Sequence, residues 1–149
     1  MEIRVVGNDM ERLVITVHGY AYPDTDCYWD GNWLTCGVEA TVSGFTAAYP
    51  AAVRVDEVGA FLGGVEQLRD ARSGKARLKN MDNTIELTLQ PDKFGRLMWS
   101  GRLTPPTGQG TSLAFAFRAE PASLPDLIRD ARSVVAAYPV RGVPAAEGV

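Results

Sequence analysis

A chain of 149 residues with 46% hydrophobic and 22% charged side chains is long enough to bury a single-domain core without metal or disulfide staples. Two cysteines, one histidine, a net charge of −3 and no apolar run of bilayer length exclude a disulfide framework, a paired-histidine metal site and a membrane-spanning helix. The start, Met1-Glu2-Ile3-Arg4, has no secretory pattern, so the expectation is a reduced, cytoplasmic protein with one globular domain over 1–140 and a flexible tail over 141–149.

In chain order, the apolar pattern has a period of two over most of its length, the mark of strands. Ile3 and Val5 share one face of a short first strand ended by the turn Gly7-Asn8-Asp9. Leu13, Ile15 and Val17 lie on a second strand that runs to about Tyr20. A loop over 21–32 follows. Leu34 to Ser43 makes a third strand with Val38, Ala40 and Val42 on one face. Gly44 marks a bulge or bend, and a fourth strand runs on to about Val55.

The period then becomes helical. Val58, Phe61, Leu62, Val65 and Leu68 fall on one face over Glu57–Arg72, with Asp56 as N-cap and Ser73-Gly74 as the stop. Gly59, Gly63 and Gly64 each weaken this helix by about 1 kcal/mol relative to alanine, a cost that close approach to a sheet would offset. Four more strands are expected at 76–82, 84–90, 96–104 and 111–118, joined by turn-rich connections at 91–95 and 105–110. A last helix has Ser123 as cap, Pro125 and Asp126 in its first turn, a stripe of Leu127, Ile128, Ala131, Val134, Val135 and Tyr138, and Pro139 at its end.

The resulting class is α+β, mainly antiparallel: about eight strands in one curved sheet or two packed sheets, with two helices in the order ββββαββββα. The pentapeptide Arg-Asp-Ala-Arg-Ser stands at 69–73 and again at 129–133. It is compatible with an internal duplication of 1–74 in 75–138, and equally with two helices converging on good surface residues.

Chemistry-bearing groups are sparse, and the sequence offers no catalytic, cofactor-binding or metal-ligating set. His18 sits in the second strand, out of phase with its apolar face, and a nucleophilic pairing with Cys36 would need a further orienting group. Asp24, Asp26 and Asp30 have the oxygen chemistry for calcium, but Cys27, Tyr28 and Trp29 interrupt the spacing and no glutamate closes the loop. The glycines form no phosphate-binding fingerprint.

Charge and aromatic content single out one region. No Lys or Arg occurs from Leu13 to Val53, where Asp24, Asp26, Asp30 and Glu39 supply four negative charges. That distribution argues against nucleic-acid binding, which needs a basic stripe, and suits a cationic partner. Inside it lies Tyr28-Trp29-Asp30-Gly31-Asn32-Trp33-Leu34, two tryptophans around a turn signal. The indoles either pin the loop to the core or form a contact surface, and a split role puts Trp33 inward and Trp29 outward. The candidate partner-binding residues are therefore Asp24, Asp26, Tyr28, Trp29, Asp30 and Asn32.

The heptapeptide, the valine strand after it, Phe61-Leu62, Ala76-x-Leu78, Ile85-Glu86-Leu87-Thr88-Leu89, Gly95-x-Leu97 and Leu113-x-Phe115-x-Phe117 together resemble the WapI-like bacterial immunity protein family and related uncharacterised bacterial families, over about 12–138. Where related chains carry an Asp-Gln pair before the last helix, Glu120-Pro121-Ala122-Ser123 stands here. The resemblance implies a non-enzymatic cytoplasmic antidote that binds and blocks the C-terminal domain of a polymorphic toxin. It fixes no binding residues. Two other functions stay open at this point: a small-ligand or enzymatic pocket near His18, Cys36 and the Trp loop, and self-association through a strand edge or that loop.

Overall fold

The structure is a computed structural model that describes residues 1–107 and 110–144. Two four-stranded antiparallel meanders make up its β-structure. The first contains β1 (Glu2–Val6), β2 (Arg12–Tyr20), β3 (Trp33–Val42) and β4 (Phe45–Arg54), with a one-turn helix, α1 (Tyr28–Gly31), between β2 and β3. Helix α2 (Val55–Ala71) leads to the second meander, β5 (Ala76–Lys79), β6 (Ile85–Pro91), β7 (Leu97–Leu103) and β8 (Leu113–Arg118). A 3₁₀ turn (Pro121–Ser123) opens into α3 (Leu124–Ala137). The expected order ββββαββββα holds, in two sheets, with α1 as an addition. No helix among the described residues is long and apolar enough to cross a membrane.

Register follows from the alternation. Ile3, Ile15, Val38 and Tyr49 align across the first sheet, and Ala76, Leu89, Trp99 and Phe117 across the second. Each row is buried, so a slip of one residue in any strand would turn its apolar set toward water. The two sheets touch end to end through a bridge between Gly7 and Ala119.

The helices are exchanged between the halves. Helix α2, which follows the first sheet, packs on β5 of the second; α3, which follows the second, packs on β1 of the first; and the helices pack on each other. Each sheet's first strand is thereby covered, which removes two edges. At β1 the seal is polar: buried Asp130 of α3 accepts hydrogen bonds from the backbone N–H, Nε and Nη2 of Arg4 at 3.0–3.2 Å. At β5 it is steric. A Cβ on Gly64 would come within 2.7 Å of the Ala76 Cα, so the helix can lie this close to the strand only with glycine there. Gly59 and Gly63 face open space and have no such role. On β4, Pro50 lacks a donor and the Asn80 side chain caps the Ala52 carbonyl, which blunts part of that edge.

Some boundaries differ from the expected ones for local reasons. Helix α2 starts at Val55 rather than after Asp56, because Glu57 Oε1 accepts the Arg54 amide at 2.7 Å and takes the capping role; Asp56 lies in the first turn. Ser123 sits in the 3₁₀ turn and donates its hydroxyl to the Glu120 carbonyl instead of capping α3. The strand expected over 76–82 ends at Lys79, since the Asn80 side chain accepts from the amides of Thr84 and Ile85 and folds 80–84 into a turn. Ser43 and Gly44 form a two-residue hairpin turn, not a bulge. The bulge in this sheet lies at His18, between Val17 and Gly19. Residues 108–109 of the 105–110 connection, and 145–149 of the tail, lie outside the described residues.

The repeated pentapeptides do not mark equivalent places. They are 60 residues apart, whereas α2 and α3 start at Val55 and Leu124, 69 residues apart. The first copy runs off the end of α2 and the second lies within α3. Asp70 is exposed and bonded to Arg69, whereas Asp130 is buried against Arg4.

Candidate functional site

The heptapeptide folds as a helical turn followed by the start of β3, with the Gly31 amide donating to the Cys27 carbonyl at 2.6 Å. A helical turn is adopted at the turn signal, and a residue outside the loop holds it. Arg54 at the end of β4 is 1% exposed, and its guanidinium carbon lies 5.2, 5.1 and 5.3 Å from the ring centres of Tyr28, Trp29 and Trp33. Its Nη1 donates to the Trp29 carbonyl at 2.7 Å, its Nη2 to the Tyr28 carbonyl at 3.1 Å, and its Nε pairs with Asp56 at 3.1 Å. One cation thus satisfies two carbonyls at the end of a short helix and sits among three aromatic rings.

A second arginine enters from the far end of the chain. Arg141 donates to the carbonyls of Tyr22, Pro23 and Gly31, and its guanidinium carbon lies 3.7 Å from the centre of the Tyr20 ring. The Arg141 backbone pairs with both ends of the Asn32 amide at 2.8 Å, and that amide also donates to the Tyr28 carbonyl. The Tyr20 hydroxyl donates to the Pro139 carbonyl at 2.7 Å, and its ring meets Tyr138 edge-on. Gly142 has φ of 70°, and a Cβ there would come within 2.5 Å of the Asp26 carbonyl, so the segment can lie on the loop only with glycine at this position. Arg141 and Gly142, expected in the flexible tail over 141–149, are therefore docked on the loop.

The candidate residues divide accordingly. Asn32, expected on the contact surface, is fully buried, because its amide is the bridge between loop and C-terminal segment. Tyr28 and Trp33 are half-buried around Arg54, and Trp29 is 53% exposed. Asp24, Asp26 and Asp30 are exposed, and none has an ion-pair partner among the described residues. Both arginines spend their donors mainly on carbonyls, so these three carboxylates stay turned toward solvent. Exposed Tyr22, Val140 and Val143 flank the same surface.

Arg54 and Arg141 are the residues that sequence reasoning missed. Arg54 carried a faint signal, as the first cation after the cation-free window. Arg141, 109 residues from Asn32, carried none.

Among the described residues, the Cys36–His18 pairing open to the sequence does not assemble. Cys36 is buried on the inner face of β3 while His18 is exposed on the outer face. Burial pushes the Cys36 thiol up to about 12, which withholds the thiolate. Cys27 and Cys36 are unpaired, and among the described residues no group of three or more His, Cys, Asp or Glu is placed to hold a metal. Surface clefts of about 310–540 Å³ are lined by other residues than His18, Cys36 or the Trp loop. Iodoacetamide at neutral pH is expected to label Cys27 alone in the folded protein and both thiols in urea, read by intact mass. Fast native labelling at two sites would contradict the burial of Cys36.

Comparison with solved structures gives a chain from "Crystal structures of trypanosoma bruciei MRP1/MRP2", with a TM-score of 0.52 and 11% identity, covering 92% of this chain and 83% of that one. At this identity the likeness concerns the fold alone. No curated protein matches the chain. The model of the family described as "Immunity protein WapI-like family" matches residues 4–139, a span that takes in both sheets, all three helices and the loop held by Arg54. The chain belongs to the WapI-like immunity protein family.

Proposed function

We propose that this protein is a non-enzymatic, cytoplasmic inhibitor that neutralises a polymorphic toxin by binding a basic surface of the toxin domain with its Trp loop. The observation that supports this reading is a rigid loop carrying exposed Trp29 among three unpaired carboxylates, Asp24, Asp26 and Asp30. Aromatic side chains are the usual anchors of protein interfaces, and unpaired charges around them steer a complementary partner and select against others. Arg54, Asn32 and Arg141 fix the loop before any partner arrives, which reduces the ordering cost of association.

The test is capture from the native cell with the full chain as bait, followed by binding kinetics on whatever toxin domain is recovered. A basic toxin domain is expected on the wild-type bait. Changing Asp24, Asp26 and Asp30 together to asparagine should slow association about tenfold at low salt, with the difference shrinking as salt rises. Trp29→Ala should chiefly speed dissociation, by a similar factor. Equal capture and equal rates for all variants would remove the loop from the interface.

A further inference from the structure

On the helix side of the molecule, arginines gather where no function has yet been assigned. A cleft of about 360 Å³ opens between the end of α2, the β6–β7 connection, the end of β8 and the entry to α3. Arg69, Arg72, Arg96 and Arg118 line it over a floor that includes Leu68 and Leu124, and no lining residue is acidic. Arg69 is held by Asp70 and Arg96 by Asp92, both outside the lining. Arg72 and Arg118 have no ion-pair partner among the described residues.

The two pentapeptides explain where much of this charge comes from. The first supplies Arg69 and Arg72. The second supplies Arg129 and Arg132, which line an adjoining groove of about 480 Å³ that shares Arg69 and Pro125 with the cleft. In those outer positions the arginines are paired, Arg129 with Asp126 and Arg132 with Glu66. Of the arginines that line the cleft and the groove, Arg72 and Arg118 are the two without an ion pair among the described residues, and both lie in the cleft. Four arginines thus line one cavity of an acidic protein with no carboxylate among its lining residues, an arrangement that favours a bound anion.

We infer that this cleft is a binding site for a small organic phosphate, a phosphomonoester or diphosphate carried on a compact apolar or aromatic body. The guanidinium fork matches phosphate oxygens in pairs, and the two guanidiniums without ion pairs offset the charge of about −2 on a phosphomonoester and most of that on a diphosphate. The leucine floor takes the body, and the volume lies at the small end of the range of ligand pockets, about 300–1,000 Å³. The site is separate from the Trp loop and does not rest on toxin binding.

Isothermal titration of the full chain at low salt tests this with pyrophosphate, adenosine 5′-diphosphate and a single-stranded oligonucleotide. Saturable binding of adenosine diphosphate is expected, at least fivefold tighter than pyrophosphate and weakening as sodium chloride is added. Arg72→Gln with Arg118→Gln should weaken it at least tenfold. Arg77→Gln with Lys79→Gln, which removes the same charge from β5, should leave it within twofold. Should the first double variant fold poorly by circular dichroism, Arg118→Gln alone, at an exposed site, is expected to lose at least threefold. Equal affinities for the two diphosphates would overturn the role of the floor. Equal loss in both double variants, no saturable binding, or binding of the oligonucleotide without the nucleotide would overturn the site itself.

Discussion

Arg54→Ala is expected to lower the free energy of unfolding by about 3–4 kcal/mol, the sum of two charge-assisted hydrogen bonds and a shared cation–π contact taken with their non-additivity. For a chain of this length that corresponds to a fall in Tm of roughly 10 °C. The substitution leaves the carbonyls of Tyr28 and Trp29 without their donors and opens a space among three rings. Arg54→Lys should recover less than half of the loss, because one ammonium cannot serve two carbonyls while lying among the rings. Urea denaturation gives the stability, and acrylamide quenching of the loop tryptophans gives the local effect. Quenching should rise well below the unfolding transition if the loop loosens first. A cost under about 1 kcal/mol with unchanged quenching would mean that the loop holds its shape without Arg54.

Gly101→Ala is expected to cost about 3 kcal/mol, the upper end of the usual range for overpacking, because the obstacle is backbone. Gly101 lies in the row Leu78, Leu87, Gly101, Phe115 of the second sheet. A Cβ there would clash with the Glu86 carbonyl oxygen and fall 3.0 Å from the Phe115 ring. The ring could turn aside, but the carbonyl belongs to the neighbouring strand and can yield only by spreading β6 from β7. Phe115 also stacks on Phe117 at 5.6 Å, so the disturbance would extend along β8. The decisive measurement is amide hydrogen exchange: protection should fall in β6–β8 more than in β1–β4. A uniform loss, or none, would show that the close approach is relieved elsewhere.

Most of the expected strands were legible because an apolar alternation buried on one face leaves little freedom of register. Ile85-Leu87-Leu89 and Leu113-Phe115-Phe117 announce their inner faces without reference to anything else. Helix α3 was legible for the same reason at a period of 3.6. The errors fall where a side chain replaces a backbone partner: Glu57 capping α2, Asn80 ending β5, and Ser123 drawn into a 3₁₀ turn. Such competition between side-chain and backbone acceptors depends on neighbours that propensity does not describe.

The Trp loop shows the same division more sharply. Its exposed acids could be read from residue type, since charged side chains stay solvated, and an outward Trp29 belonged to the split role that was one of the readings open for the two indoles. Asn32 could not. It looked like part of a polar turn and is instead buried, because Arg141 arrives to pair with it. The pattern of hydrophobic and charged residues by itself determined the fold class, the element order and the acidic cation-free region, all of which depend on local periodicity and composition. Only the tertiary structure decided that each helix covers the other half's first strand, that Arg54 and Arg141 clamp the loop, and that Arg69 and Arg72 meet Arg96 and Arg118 around one cleft. Those depend on contacts between residues up to 126 positions apart, as for Arg4 and Asp130, and no local pattern encodes which distant partners the folded chain will bring together.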